Sequence, residues 1–525
     1  MSKKISVMLL IACLFVSLLT ACSSGGNQSA STKQPTPTGT PSDSSSSGDD
    51  IKDYGKVYVY ANYGHLSNVV NMSTKEALEE VRQHIKEQTG IEIVEIVPPK
   101  GTEADRLNLL LAGNEPLDIF TGSMDVHQVN GAALPLDDLL NEYGANIKEL
   151  WPEAWTSAPW EALSADGKLW ALPISPAMAG DAITLRKDWL DEVGMEVPTN
   201  LEELEAVLKA FKEKDPVGNG ETITMITSFS EMNKILAGLF MENGYGNWID
   251  DEGKVRPTVQ HPGYEQFVAL MADWYKKGYI YRESFATDAT RAIELVRANR
   301  VAAAVTWHSR TLAQTMAIRS IDPDAEYVVA DIQGPKGYGR MVGAISRSGT
   351  MISKNAQNPE GAIRYINWLQ SDVNNYLTAF YGVKGKHWEW VDEDKGILRR
   401  LNQDYSGEFM TGFSFAMTVQ FREDDPQSND PWIRPFFATY LVEKEKVKYE
   451  GTADVSYKFD RVAINEEVPT LSDIERIIEQ EITKFVMGAR PMSEYAQFLQ
   501  ELEKVGIDKW INAYTKQYDL ARNNG

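Results

Sequence analysis

An apolar run from Ile5 to Leu19 opens the chain, and Ser23 to Asp50 then contains no Val, Ile, Leu, Met or aromatic residue. Only after that do short apolar blocks and helical periodicity begin to alternate. Val57 to Tyr60 reads as a strand, followed by the loop Asn62-Tyr63-Gly64-His65. From near Ser73, Leu78, Val81 and Ile85 recur at helical spacing until Gly90, a C-cap candidate. Ile91 to Val97 alternates as a strand, Arg106 to Ala112 reads as a helix stopped by Gly113, and Leu117 to Phe120 as a third strand. This order predicts right-handed crossovers and a mostly parallel sheet, with ligands expected beyond the carboxyl ends of its strands. Two loops fall there, Asn62 to His65 and Thr121 to Asp125.

Farther along, Asp166-Gly167 reads as a tight turn feeding a strand, and Ala182 to Leu185 as a strand running into a helix. Thr199 and Glu202 have the spacing of a capping box, ahead of Leu201, Leu204, Leu208 and Phe211 on one helical face. Val301 to Trp307 is a buried-strand candidate ending in a large aromatic. Asn358-Pro359-Glu360 starts a helix bearing Ile363, Ile366 and Leu369, and the chain from Leu471 onward is mostly helical in pattern.

The opening run follows Lys3 and Lys4 and ends in Leu19-Thr20-Ala21-Cys22. It is too short for a comfortable membrane span and resembles a bacterial lipoprotein signal. The resemblance implies that residues 1–21 are removed and that Cys22 is lipidated. Residues 22–52 would then form a disordered tether reaching on the order of 30 Å. A diacylglycerol supplies the two acyl chains that stable anchoring requires. The expected location is therefore the extracellular face of the cell membrane, with the lipid as the only membrane contact.

Composition narrows the work done there. The formal charge of −23 becomes two charges more negative once Lys3 and Lys4 leave, which argues against nucleic-acid binding. Cys13 and Cys22 are the only cysteines, so the body has no thiol for disulfides, zinc or nucleophilic catalysis. His65, His84, His127, His261, His308 and His387 show no metal-ligand spacing. There is no Gly-x-Ser-x-Gly elbow, His-Glu-x-x-His, phosphate-binding loop or dinucleotide fingerprint. Carboxylates are abundant, and a glycosidase needs only two about 5–9.5 Å apart in space, so that chemistry stays open.

The segments "DGKLWALP" and "AITLRKDWLDEVGMEVPTNLEELEAVLKAFKEKDPVGNG", behind a lipoprotein signal and an opening strand, resemble extracellular solute-binding proteins. "NPEGAIRYINWLQSD" followed by "FYGVKGKHWEW" is similar to the large-lipoprotein branch of family 1, which includes alginate-oligosaccharide-binding proteins. The resemblance spans roughly Lys56 to Leu520. It implies an α/β, two-lobed, periplasmic-binding-protein-like fold with a ligand cleft between lobes and several hinge crossings. By analogy, lobe one would be 53–175 plus 345–385 and lobe two 178–340 plus 390–525, with crossings near Pro173 to Asp181, Arg340 to Ala344 and Tyr381 to His387. The implied function is capture of a carbohydrate, an oligosaccharide, for an ABC importer whose permease subunits are separate chains. Neither catalysis nor a cofactor is implied, and a monomer is expected. A surface polysaccharide-degrading enzyme and a peptide-binding receptor are the alternatives.

Sugars offer hydroxyl edges and weakly apolar faces, so a sugar site combines polar side chains with flat aromatic platforms. Among 13 Trp and 22 Tyr, Trp307 is the leading platform candidate, because it ends an apolar strand just before His308, Ser309 and Arg310. Trp388 and Trp390 flank Glu389 near a proposed crossing, and Trp388 is a second platform candidate. Ser123 and Asp125 follow the third strand, where a carboxylate could accept bonds from vicinal hydroxyls. Asn62, Tyr63 and His65 follow the first strand, while Asp181 and Arg340 lie at crossings. The loop Asp215-Pro-Val-Gly-Asn-Gly220 resembles the calcium loop of the alginate-binding relatives. It carries Val217 where an oxygen ligand is expected, and Ile223-Thr224 replaces the acidic pair, so a plain turn and no metal are expected.

Overall fold

The computed structural model describes residues 51–61, 72–151, 157–176, 181–287, 289–307, 315, 317–339, 341–342, 345–412, 415–418, 420–424, 447–448, 452 and 455–523. The signal, Cys22 and nearly all of the tether precede them. Ile51–Gly525 forms one compact unit.

In chain order, the elements that position the site begin with β1 (Gly55–Tyr60), α1 (Lys75–Thr89), β2 (Ile91–Ile96), α2 (Glu103–Ala112) and β3 (Ile119–Ser123). After α3 (Ala158–Ala162) and β4 (Leu172–Pro173) come β5 (Asp181–Arg186), α4 (Leu201–Lys214), β6 (Ile223–Ile226) and α5 (Pro262–Lys277). Then follow β7 (Val301–Trp307), β8 (Tyr327–Ala330), β9 (Met341–Val342), β10 (Ser348–Ile352), α6 (Pro359–Ser371) and α7 (Val373–Tyr381). The chain closes through β11 (Trp388–Asp392), β12 (Ile397–Arg400), β13 (Val447–Lys448), α8 (Leu471–Val486) and α9 (Ile507–Asn523).

Local chemistry explains where the helices start. The Thr74 side chain accepts from the Ala77 amide at 3.2 Å, and Gly90 closes α1 in the left-handed region at φ 70°. Asn358 accepts from Gly361 at 2.9 Å, with Pro359 as the first residue of α6. At α4 the cap is one residue later than the spacing suggests. Asn200 accepts from the Glu203 amide, and Glu203, not Glu202, accepts from Thr199 in return.

Two sheets result. The first has the order β2-β1-β3-β10-β4, and the second β8-β5-β7-β6. In the first, β1, β2 and β3 are parallel as the alternation predicts, while β10 runs antiparallel to both β3 and β4. The second sheet is mixed, with β5 antiparallel to β7 and β8, and β6 parallel to β7. Each sheet sits in its own hydrophobic core. The first gathers Val57, Ile93, Ile119, Met351, Ile363 and Leu377; the second Leu185, Phe211, Phe267, Val305, Phe485 and Phe498.

The first core corrects a boundary. Trp388, Leu398, Tyr405, Phe409, Met417 and Phe421 pack into it. These residues pack with the first sheet, although the second lobe was expected to begin at 390. Chain from Val455 onward joins the second core. α7 and β11 both pack on the first core, at the place where a crossing was expected near Tyr381 to His387. β9 pairs in parallel with β13.

Candidate functional site

The first-lobe rim grows out of the end of β3. Thr121-Gly122-Ser123, read from sequence as loop, continues the strand, with Gly122 opposite Gly349 and Ser123 opposite Ser348 of β10. Gly122 allows close packing there: a Cβ would stand 2.5 Å from the Met351 sulfur and 2.7 Å from the Phe120 ring. Met124–Gln128 then forms a single π-helical turn. Ser123 caps it, its hydroxyl accepting from the Asp125 amide at 3.2 Å. The ring of His127 folds back so that Nδ1 accepts the Ser123 amide at 2.9 Å, edge-on to Phe120. Burial holds the His127 pKa below its ordinary value, favouring a neutral ring.

Asp125 leaves this turn half-exposed. Arg347 donates to it through Nε at 2.9 Å, and through Nη1 to the carbonyls of Tyr457 at 2.7 Å and Ala162 at 3.4 Å. The Tyr457 hydroxyl donates to Glu161 at 2.9 Å, and Lys458 lies 3.7 Å from the same carboxylate. Glu161 is held below the usual carboxylate range, first by that tyrosine hydroxyl, against the cost of partial burial. Nothing in the sequence around Arg347, Glu161 or Tyr457 distinguished them, because their partners are up to 296 residues away in the chain.

The second-lobe rim is a strand end as well. Trp307 and Asp181 are register partners on the terminal rung of β5 and β7. The pairing joins two residues that the sequence marked for separate reasons. Asn62, Tyr63, His65, His308, Arg310 and Arg340 lie outside the described residues.

Trp388 is a correction. It is fully buried, its indole N–H donates to the Gly382 carbonyl at 2.7 Å, and Trp390 meets it edge to face at 5.2 Å. Alternation does put the two tryptophans on one face of β11, but that face packs on the first core and not on the cleft. Trp388 is thus core, and its donor is already spent. A different tryptophan pair, Trp151 and Trp160, meets edge to face at 5.7 Å over a pocket bounded by Pro173, Ile174 and Thr411.

The loop at Asp215 does not fit calcium. One carboxylate oxygen accepts from the Gly220 amide at 2.6 Å and the other from Thr222 at 3.2 Å, while Val217 contributes no side-chain oxygen. Asp215 and Asn219 instead adopt the left-handed turn, at φ 48° and 58°. Among the described residues no cluster of three His, Cys, Asp or Glu side chains could hold a metal ion. No described helix is long and apolar enough to cross a membrane.

Two α/β lobes, each a sheet in its own hydrophobic core, give the two-lobed fold of a ligand-binding protein. The model of the bacterial extracellular solute-binding protein family matches residues 73–376, and the chain belongs to that family. It is 24% identical over 496 residues to the fructooligosaccharide ABC transporter substrate-binding protein FusA of Streptococcus pneumoniae, covering 86% of this chain and 89% of that protein. Against the polygalacturonan/rhamnogalacturonan-binding protein YtcQ of Bacillus subtilis the identity is 22% over 460 residues, covering 84% and 88%. The crystal structure of the N-glycan transport solute-binding protein NgtS of Streptococcus pneumoniae superposes with a TM-score of 0.67 at 17% identity, over 90% of this chain and 100% of that one. That likeness establishes the shared fold.

Proposed function

We propose that the protein is a lipid-anchored receptor that captures an oligosaccharide outside the cell and delivers it to an ABC permease, without chemical change to the sugar. The observation that carries this reading is the extent of the match to FusA and YtcQ, which runs through both lobes of relatives named for carbohydrate binding. The lipoprotein-type signal ending at Cys22 supports the anchor. In this reading Ser123 and Asp125 offer acceptors from the first lobe, and Trp307 with Asp181 offers a stacking platform and a carboxylate from the second. Asn62, Tyr63, His65, His308, Arg310 and Arg340 are the further candidate contacts. Closure follows from the ligand's greater affinity for the closed arrangement.

Titration calorimetry against fructo-, pectic and N-glycan-derived oligosaccharides tests it. Saturable binding of one of these with no product on chromatography is the expected result. Cleavage of the bound glycan would replace the receptor by an enzyme, and binding of peptides but no glycan would replace the ligand. For the anchor, metabolic labelling with palmitate should mark the chain, and Cys22→Ser should release it into the medium.

A further inference from the structure

We propose that Arg347 couples the occupancy of Asp125 on the first lobe to the seam between the lobes. Whether Asp125 meets a sugar rests on the function proposed above; the coupling itself rests on contacts within the molecule.

Arg347 stands where three distant parts of the chain converge. Its backbone is fixed to the end of the first sheet, since its carbonyl accepts the Met124 amide at 2.9 Å. Its guanidinium spans outward from there. Nε serves Asp125, on the turn after β3, while Nη1 serves the Tyr457 carbonyl and, more distantly, that of Ala162 at the end of α3. A guanidinium can do this because its five N–H groups lie in one rigid plane, so a change at one edge is felt at the other.

Tyr457 carries the second lobe's side of the seam. Its neighbours Val455 and Phe459 pack in the second core, the Asp460 amide donates to Gln517 at 3.0 Å, and the Thr452 hydroxyl donates to the Asn247 carbonyl at 3.1 Å. The side chain nevertheless points into the first lobe. It packs with Ala158, Ala162 and Ile345, and its hydroxyl reaches Glu161. The second lobe therefore reaches the first through this tyrosine, and Arg347 grips its backbone.

The consequence is directional. Asp125 and the Tyr457 carbonyl draw on the same cation. A ligand hydroxyl that donates to Asp125 competes with Arg347 for the carboxylate, leaving the guanidinium freer for the Tyr457 carbonyl. Occupying Asp125 thereby strengthens the hold of the first lobe on the second, and by linkage a tighter seam favours occupancy of Asp125.

Inter-spin distance measurement tests this on the full chain. With Cys13→Ser and Cys22→Ser no other thiol remains, so labels at Glu87→Cys on α1 and Lys209→Cys on α4 report the separation of the lobes. Asp125→Asn mimics occupancy by weakening the carboxylate's claim on Arg347, and it needs no ligand. The expected result is a narrower inter-lobe distribution in Asp125→Asn. That response should vanish when Arg347→Met is added. Tyr457→Phe, which removes one hydroxyl and keeps the ring, should broaden the distribution. With a glycan identified, Arg347→Met should weaken its binding about tenfold, which is about 1.4 kcal/mol, and Arg347→Lys should recover only part of this. An Asp125→Asn response of equal size with and without Arg347 overturns the coupling. Should Arg347→Met fail to fold, Arg347→Gln takes its place in the same comparison, and an undiminished Asp125→Asn response overturns the coupling. If no glycan binds the wild-type chain, the carbohydrate reading falls, while the ligand-free distances still judge the coupling.

Discussion

Trp388 and Arg347 both belong to the first lobe, but different physics holds their surroundings together. Trp388 itself is packed and satisfied: the ring is out of water, its one donor is used, and Trp390 and the first core pack against it. Around Arg347 the contacts are charged and partly wet, with a quarter of its side-chain surface still exposed. The former region gains its stability from burial and close packing, which have no low-energy alternative arrangement. The latter holds several polar contacts whose net worth is small, because water competes for each of them. A region of the first kind fixes the lobe. One of the second kind can exchange partners at little cost.

The sharpest way to break this contrast is at its rigid side. Trp388→Ala should destabilise the protein by about 3–5 kcal/mol, since it leaves a large cavity in the core. Glycan affinity per folded molecule should hardly change. Denaturant unfolding followed by calorimetry of the folded fraction checks both halves. A selective loss of affinity with little loss of stability would return Trp388 to the cleft.

Next in size is Asp118, a fully buried carboxylate at the foot of β3. Its two oxygens accept the amides of Tyr58 at 2.8 Å and Asn358 at 2.9 Å, tying β1 to the start of α6. Asp118→Ala strands two part-buried donors and should cost about 2–4 kcal/mol. Asp118→Asn, which keeps one acceptor, should cost less. Equal losses in thermal unfolding would show that the carboxylate's acceptors are not what the site requires.

These two residues also show what sequence could reveal. The strands and helices around Asp118 were legible because β1, α1, β2 and β3 follow one another with period-two and period-3.6 patterns and explicit caps. The family resemblance was carried in the same way, by segments in order. The boundary near Tyr381 to His387 came from family analogy, and no local pattern there says whether the chain beyond returns to its own lobe. Trp388 shows the same limit: alternation assigns a face, and only packing says what that face meets. At the rims, the place of Asp125 after a strand is a local signal, whereas Arg347 and Tyr457 depend on distant contacts with no local signature.

Trp307 sets the two rims against each other. If the second rim supplies the stacking platform, Trp307→Ala should weaken glycan binding by about 1–2 kcal/mol, or roughly 5- to 30-fold, with folding stability lowered far less than in Trp388→Ala. Asp125→Asn should weaken it too, through lost charge-assisted bonds. Calorimetry on both variants ranks the rims. If Trp307→Ala leaves affinity unchanged, the platform must be sought in another aromatic residue.

The smallest expected effect is the most specific to the seam. Glu161 has its pKa lowered in the folded protein, chiefly by the Tyr457 hydroxyl, with further help from Ser157 and Lys458 and against the cost of desolvation. A carboxyl whose folded pKa is depressed contributes stability that is present above its unfolded value. That contribution is lost as pH falls through the lower, folded value. Glu161→Gln should therefore be less stable than wild type at pH 7, and the gap should close with acidification below the ordinary carboxylate range. Because Glu161 is about half-exposed, the gap at neutral pH should be at most about 1 kcal/mol. Urea unfolding of both proteins at stepped pH, with Tyr457→Phe as a third arm, reads it. In the Tyr457→Phe background the pH-dependent gap should shrink, since the hydroxyl that favours the ionised carboxylate is gone. A gap that stays constant with pH would mean that Glu161 stabilises the seam by shape alone, and the contrast between a packed core and a charged seam would lose its clearest electrostatic support.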